Sequence, residues 1–254
     1  MFTNAIVRTP GKSIAVGLTE SKSLGIPNYE QAIIQHQSYI ESLKRCGLDV
    51  TVLEPCEDYP DSTFLEDVAL ITPSCAIITR PGAYSRRDEV KQIESVLRNR
   101  FNNVKAIEEP GTVEGGDIMM VGNHYYIGLS NRTNLEGAKQ IIKILNKYGM
   151  SGSTISLNKM LHLKTGLSFL ENNNLIVCGE FINDSRFDQY NSIEIPESES
   201  YAANCIWVNE FVIIPLGYPI TKEKIRNAGY TVLETDVSEF QKLDGGLSCL
   251  SLRY

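Results

Sequence analysis

The sequence predicts an α/β fold in which one unit, a hairpin followed by a helix and a short strand, recurs five times. Paired β-rich runs flank turn residues at four places along the chain. A helical apolar period follows three of these pairs, and a further helix lies near the start. A short apolar strand follows each helix. The units begin near residues 5, 68, 117, 167 and 205. Five irregular copies in 254 residues suggest a closed pseudo-symmetric ring. Turns from every unit would converge on its axis, where a site is expected.

The elements follow in order. Residues 5–8 open the first unit. The helix 29–46 carries Ala32, Ile33, Tyr39, Ile40 and Leu43 and stops at Gly47, a natural C-terminal signal. The strand 49–53 comes next. The hairpin 68–72 and 75–80 turns at Pro73-Ser74, and the helix 88–100 presents Val90, Ile93, Val96 and Leu97 before the strand 103–107. The hairpin 117–121 and 124–129 turns at Gly122-Asn123, which tolerates positive φ. It leads to the helix 134–148 and the strand 153–157. The hairpin 167–170 and 174–178 turns on asparagines. The hairpin 205–208 and 211–215 turns at Asn209-Glu210, followed by the short helix 221–228 and the strand 230–234. The last strand, 247–252, has no sequential partner, and residues 5–8 are the candidate. Loops fall at 18–28, 54–62, 179–186 and 196–203, none long enough to mark a domain boundary. A single domain, 1–254, is expected.

Composition narrows the function. There are 24 basic and 31 acidic residues, a net charge of −7, which gives no electrostatic reason to bind nucleic acid. No apolar run approaches a membrane span, and the first residues lack a signal-peptide pattern, so neither a membrane nor export is expected. A cytoplasmic protein follows, with its six cysteines (46, 56, 75, 178, 205 and 249) reduced. None lies in a C-x-x-C pair. Phosphate-loop, dinucleotide, nucleophile-elbow and zincin motifs are absent from the sequence.

The residues that carry chemistry cluster at strand mouths. Asp244-Gly245-Gly246 leads into the terminal strand, with Cys249 early on it. Paired glycines let backbone approach closely. Cys249 is either a nucleophile or a small buried hydrophobe. Glu114-Gly115-Gly116-Asp117 repeats the design, presenting two carboxylates from a compact turn, or else a solvated one. Glu66-Asp67 is a third acidic mouth, and three together would suit a cationic ligand. Of three histidines, His36 and His124 read as surface residues. His162 reads as a core residue or as the acid–base partner of a thiol.

At this point the chain resembles the bacterial dimethylarginine dimethylaminohydrolases, members of the guanidino-group-modifying enzymes. The resemblance runs from Ala5 to Tyr254. It rests on 60–67 (PDSTFLED), 78–82 (ITRPG), 112–118 (TVEGGDI), 129–134 (LSNRTN), 161–164 (LHLK) and 244–253 (DGGLSCLSLR). It implies a five-bladed α/β propeller. It implies Cys249 as nucleophile, His162 as general acid and then base, and Glu114 as the third member of a triad. Asp67 would bind guanidinium nitrogens with Glu66 beside it. Arg86 and Arg132 would grip a substrate α-carboxylate. Asp61 and the main chain at Leu18 and Leu243 would lie near its α-amino group. The implied ligand is a methylated arginine, with no cofactor and no metal, and a homodimer is compatible with it. An arginine deiminase or an amidinotransferase shares this logic. A ribosome-binding propeller shares the fold without the chemistry. A metal site finds no ligand spacing.

Overall fold

The computed structural model describes all 254 residues. Its strands and α-helices, in chain order, are β1 Asn4–Arg8, α1 Tyr29–Arg45, β2 Asp49–Leu53, β3 Ala69–Ile71, β4 Ala76–Ile78, α2 Val90–Arg100, β5 Val104–Ala106, β6 Ile118–Val121, β7 His124–Leu129, α3 Leu135–Lys147, β8 Ser151–Ser156, α4 Leu163–Gly166, β9 Leu167–Leu170, β10 Asn174–Val177, β11 Asn191–Glu194, β12 Ile206–Val208, β13 Phe211–Pro215, α5 Pro219–Asn227, β14 Thr231–Thr235, α6 Ser238–Gln241 and β15 Leu252–Arg253. The strands make five three-stranded sheets: β15-β1-β2, β3-β4-β5, β6-β7-β8, β9-β10-β11 and β12-β13-β14.

All five sheets share one plan. The middle strand is antiparallel to its first neighbour and parallel to its last. Middle strands are almost wholly buried, which their continuous apolar runs dictate. A parallel partner needs a long crossover. Helices α1, α2, α3 and α5 provide four of them. In the sheet β9-β10-β11 the crossover is two 3-10 turns, Gly179–Phe181 and Ser185–Phe187, whose phenyl rings meet edge-on at 6.1 Å. The strand β11 that they deliver was not expected. Its sequence, NSIE, is mostly exposed and has no apolar run to announce it.

The chain divides into two compact units. The first, residues 1–64 and 166–254, holds three sheets around a core that includes Tyr39, Leu43, Phe64, Ile213, Phe240 and Leu247. The second, residues 65–165, holds β3-β4-β5 and β6-β7-β8 around Ile77, Val113, Ile127, Ile141 and Leu145. Helix α1 illustrates the local logic. Asn28 caps it by accepting from the Gln31 N–H at 2.9 Å. It ends where Gly47 takes φ +87° and the Gly47 and Leu48 amides return to Lys44 and Leu43.

Three expectations need correction. The terminal segment is not a strand from 247. Residues Ser248–Leu250 wind into a 3-10 turn, and only Leu252 and Arg253 pair with β1, at Ile6 and Ala5. Side chains take the backbone groups a ladder would have used: Tyr39 Oη donates to the Leu247 carbonyl (3.0 Å) and Asn204 Oδ1 accepts the Ser248 N–H (2.9 Å). His36 is buried rather than exposed, since it lies on the inward face of α1 with its ring against Phe240. His124 is half-buried, with Nδ1 and Nε2 each 2.8 Å from the hydroxyls of Ser151 and Ser153.

Candidate active site

A short helical turn precedes the first strand of every sheet. These turns are Leu65–Val68 before β3, Gly115–Asp117 before β6, α4 before β9, Glu197–Ala203 before β12 and Ser248–Leu250 before β15. Four of the five carry the residues singled out above. Glu66 and Asp67 lie within the first turn, Glu114 and His162 immediately precede the second and third, and Cys249 lies in the fifth. The repeat therefore places chemically different side chains at equivalent positions.

In the second unit the turns Leu65–Val68 and Gly115–Asp117 touch. A methyl group on Gly115 would lie 2.1 Å from the Glu66 carbonyl, and one on Gly116 would lie 2.6 Å from His162 Nδ1. The close approach expected of the paired glycines is thus put to use at both positions. It lets the Gly116 N–H donate to Asp67 Oδ1 at 3.0 Å. His162 Nε2 is 2.8 Å from Glu114 Oε2, while Glu114 Oε1 accepts the Ala83 N–H at 3.1 Å. One donor atom from each of Asp67, Glu114 and His162 falls within 4.8 Å of the others. Arg132 Nη1 stands 3.7 Å from Glu114 Oε1, and Glu66 pairs with Lys164 at 2.5 Å.

The charges in this cluster sustain one another. Burial alone would push the His162 imidazole down, but the Asp67 charge, the Glu114 hydrogen bond and the charges of Asp117 and Glu114 hold it up at about 9. Burial pushes Asp67 and Glu114 upward. His162 and Arg86 reverse this for Asp67, and the His162 hydrogen bond leads the reversal for Glu114, so both carboxyls stay below their ordinary range. His162 is accordingly an imidazolium at neutral pH, facing carboxylates.

Two residues differ from expectation. Arg86 does not lie open for a substrate carboxylate. It is 5 % exposed, with Nη1 on Asp67 at 2.6 Å and with Nε and Nη2 on Glu89. Two buried carboxylates require a counter-charge, and Arg86 is that charge. Asp117 is not presented from its turn but is fully buried.

In the first unit Cys249 is 7 % exposed, and the Gly246 N–H points to its sulfur at 3.4 Å. Asn204 fixes the neighbouring Ser248 through its amide and its hydroxyl, and Tyr201 Oη donates to the Gly245 carbonyl at 2.7 Å. Leu18, Asp61 and Leu243, expected near a substrate α-amino group, lie together in this unit. The Leu18 N–H donates to Asp61 Oδ1 at 2.9 Å, and a methyl group on Gly17 would lie 2.8 Å from Leu243 Cδ1 and 2.9 Å from Asp61 Oδ1. Asp244, at φ +59°, accepts from the Glu20 N–H (2.6 Å) and from the Ser21 hydroxyl, stitching down the loop 18–28. Sequence reasoning missed Asp244 as an anchor and missed Glu89, Lys164, Tyr39 and Asn204. Among these Asp244 had a signal in the repeated Asp/Glu-Gly-Gly design, and Lys164 in its place at the end of the 161–164 motif.

The sequence matches the profile of the family described as N,N dimethylarginine dimethylhydrolase, eukaryotic, over residues 24–250. The chain belongs to the dimethylarginine dimethylaminohydrolase family. It is 58 % identical to the N(G),N(G)-dimethylarginine dimethylaminohydrolase of Pseudomonas aeruginosa, with both chains covered completely. It is 32 % identical to the Streptomyces coelicolor protein of the same name, covering 98 % of this chain and 96 % of that one. Two solved structures of dimethylarginine dimethylaminohydrolase superpose over the full length of both chains. One is a cysteine-to-serine variant of the P. aeruginosa protein complexed with citrulline (TM-score 0.99, 57 % identity). The other is a histidine-to-glycine variant as an adduct with S-methyl-L-thiocitrulline (TM-score 0.98, 57 % identity). Membership of the dimethylarginine dimethylaminohydrolase family makes this chain an enzyme. No helix in it is long and apolar enough to cross a membrane.

Proposed function

We propose that this enzyme hydrolyses Nω,Nω-dimethyl-L-arginine, and the monomethyl compound, to L-citrulline and the corresponding amine. The observation that carries the reading is the buried cluster of Asp67, Glu114 and His162. Its four carboxylates, Asp67, Glu89, Glu114 and Asp117, outnumber its cations, Arg86, Arg132 and His162, by one. A guanidinium completes that balance, and its planar N–H groups suit carboxylate acceptors.

The reaction needs the Cys249 sulfur and the His162 imidazole to meet on one carbon. We propose that the five sheets close into a five-bladed ring acting as one catalytic domain, 1–254, with the helical turns that carry these residues facing a common axis. The full-length likeness to the citrulline-bound P. aeruginosa protein supports this. Asp67 and Glu114 then hold the guanidinium plane, so the Cys249 thiolate attacks its central carbon. The bound cation favours thiolate over thiol. The tetrahedral adduct collapses as His162 gives its proton to the departing dimethylamine, leaving a thiouronium on Cys249. Neutral His162 takes a proton from water, the hydroxide adds to the same carbon, and the thiolate leaves as the new hydroxyl gives its proton to solvent, releasing the neutral ureido product. Arg132 engages the substrate α-carboxylate, and Asp61 with the main chain of Leu18 and Leu243 engages its α-amino group. Arg86 and Glu66 act on the guanidinium side, Arg86 by holding Asp67.

The test is citrulline release from dimethylarginine, monomethylarginine and arginine, with Cys249→Ser as control. The methylated substrates should be turned over and arginine poorly or not at all. A kcat/KM that favours arginine would make the protein a deiminase.

A further inference from the structure

We propose that Asp117 is a positioning residue for this site, one buried carboxylate that fixes the backbone of Glu114, Arg132 and His162 together; the inference rests on the functional reading above. Asp117 Oδ1 accepts the Leu163 N–H at 3.0 Å, which pins the peptide that leaves His162. Its Oδ2 accepts the Ser130 hydroxyl at 2.6 Å. The Thr133 hydroxyl is its third hydrogen-bond partner. Each hydroxyl passes the constraint on. Ser130 Oγ accepts the N–H groups of Arg132 (2.9 Å) and Thr133 (3.2 Å). Thr133 Oγ1 accepts the Glu114 N–H at 3.1 Å.

Donor counting shows why this residue is an aspartate. A serine hydroxyl has one proton and two lone pairs. The lone pairs of Ser130 face the two amides, so its proton must go to an acceptor. Thr133, already accepting from Glu114, directs its proton the same way. Asp117 thus receives three protons and offers none, which an ionised carboxylate alone can do. Asparagine has the same shape but would turn two N–H donors or its only oxygen toward groups that all donate. Its defect would be a surplus of donors, not of volume. The Asp117 charge is also one of three carboxylates, with Asp67 and Glu114, that act on the His162 imidazole, while Arg86 pairs with Asp67 and Arg132 with Glu114.

The experiment compares Asp117→Asn, Ser130→Ala and Thr133→Val in the full chain. If the inference holds, Ser130→Ala frees the Arg132 N–H and, at the longer contact, the Thr133 N–H, so it raises KM about tenfold with a smaller loss of kcat. Thr133→Val loosens the Glu114 arm and lowers kcat about tenfold with a smaller rise in KM. Asp117→Asn does both. In the same variant, NMR titration of the His162 imidazole without substrate shows its midpoint moved down. That readout stands apart from catalysis. Absence of dimethylarginine turnover in the wild type removes the functional reading and leaves the imidazole titration to decide on Asp117. The inference is overturned if the His162 midpoint stays put in Asp117→Asn, or if the variants lose folded protein while kcat per folded molecule and KM stay unchanged. Should Asp117→Asn fail to fold, the opposite KM and kcat effects of Ser130→Ala and Thr133→Val decide the question, and a uniform loss in both overturns it.

Discussion

Cys249 and His162 serve different steps of the proposed reaction, so their loss should look different. Cys249→Ser should release no citrulline while far-UV circular dichroism stays that of the wild type. Turnover near the wild-type rate would end the covalent scheme. His162→Gly should retain substrate binding by calorimetry and lose about 10² to 10⁴ in kcat. A loss below tenfold would place proton transfer on another group. The two arginines should separate as sharply. Arg86 is locked between Asp67 and Glu89, so Arg86→Ala leaves two buried carboxylates uncompensated and should cost about 3–5 kcal/mol in urea unfolding. Arg132 is more open, and Arg132→Ala should act on KM, by about 1.5–3 kcal/mol of lost charge-assisted contact to the substrate. Equal effects of both on unfolding would show that Arg86 has no special structural place.

At the level of elements, the helical turn before each sheet is the device that aims the chemistry. Gly116→Ala tests it, because a methyl 2.6 Å from His162 Nδ1 has to displace the ring. The variant should fold, keep its Cys249 thiol count and lose most of its kcat; unimpaired kcat would mean that the turn has slack. These turns were also what the sequence hid. The hairpins, the four crossover helices and the strands that follow them were legible because apolar periods of two and 3.6 residues declare themselves. So were Glu114, His162, Asp67 and Cys249 as residues, through their place at strand mouths and their resemblance to known motifs. A three-residue 3-10 turn buries no periodic face, so nothing distinguished Ser248–Leu250 from the start of a strand. The link between Asp117, Ser130 and Thr133 was hidden for another reason, although Asp117 itself was read as a carboxylate presented from its turn. Each is an ordinary turn residue until the fold closes one hydrogen-bond circuit through all of them. His36 was misread because its polarity and its glutamine neighbours were given more weight than its spacing of three and four residues from Ala32, Tyr39 and Ile40, which marks the inward face.

For the molecule as a whole, two histidines set opposite limits on stability against pH. His162 is held up at about 9, so its folded form binds the proton more tightly than the unfolded chain does. Its contribution is complete below its ordinary value of 6.5 and is lost as pH climbs from there through about 9. Burial holds His36 down at about 4, so protonation from 6.5 toward 4 favours the unfolded chain. Stability should therefore peak near the ordinary histidine range. Urea midpoints across pH should show both flanks, His36→Leu flattening the acid one and His162→Gln the alkaline one. A profile with both flanks intact in these variants would assign the titration to other groups.

The sheet β15-β1-β2 joins residue 6 to residue 252, and the helical turn that carries Cys249 lies just before that seam. The other four sheets draw their strands from neighbouring sequence. Closing a loop nearly as long as the chain costs the most entropy and comes late in assembly. During refolding, helix and sheet signals should thus rise before catalytic competence appears. Cys249 would take its place only after the rest of the architecture has formed, so partly assembled molecules could not carry out the proposed reaction.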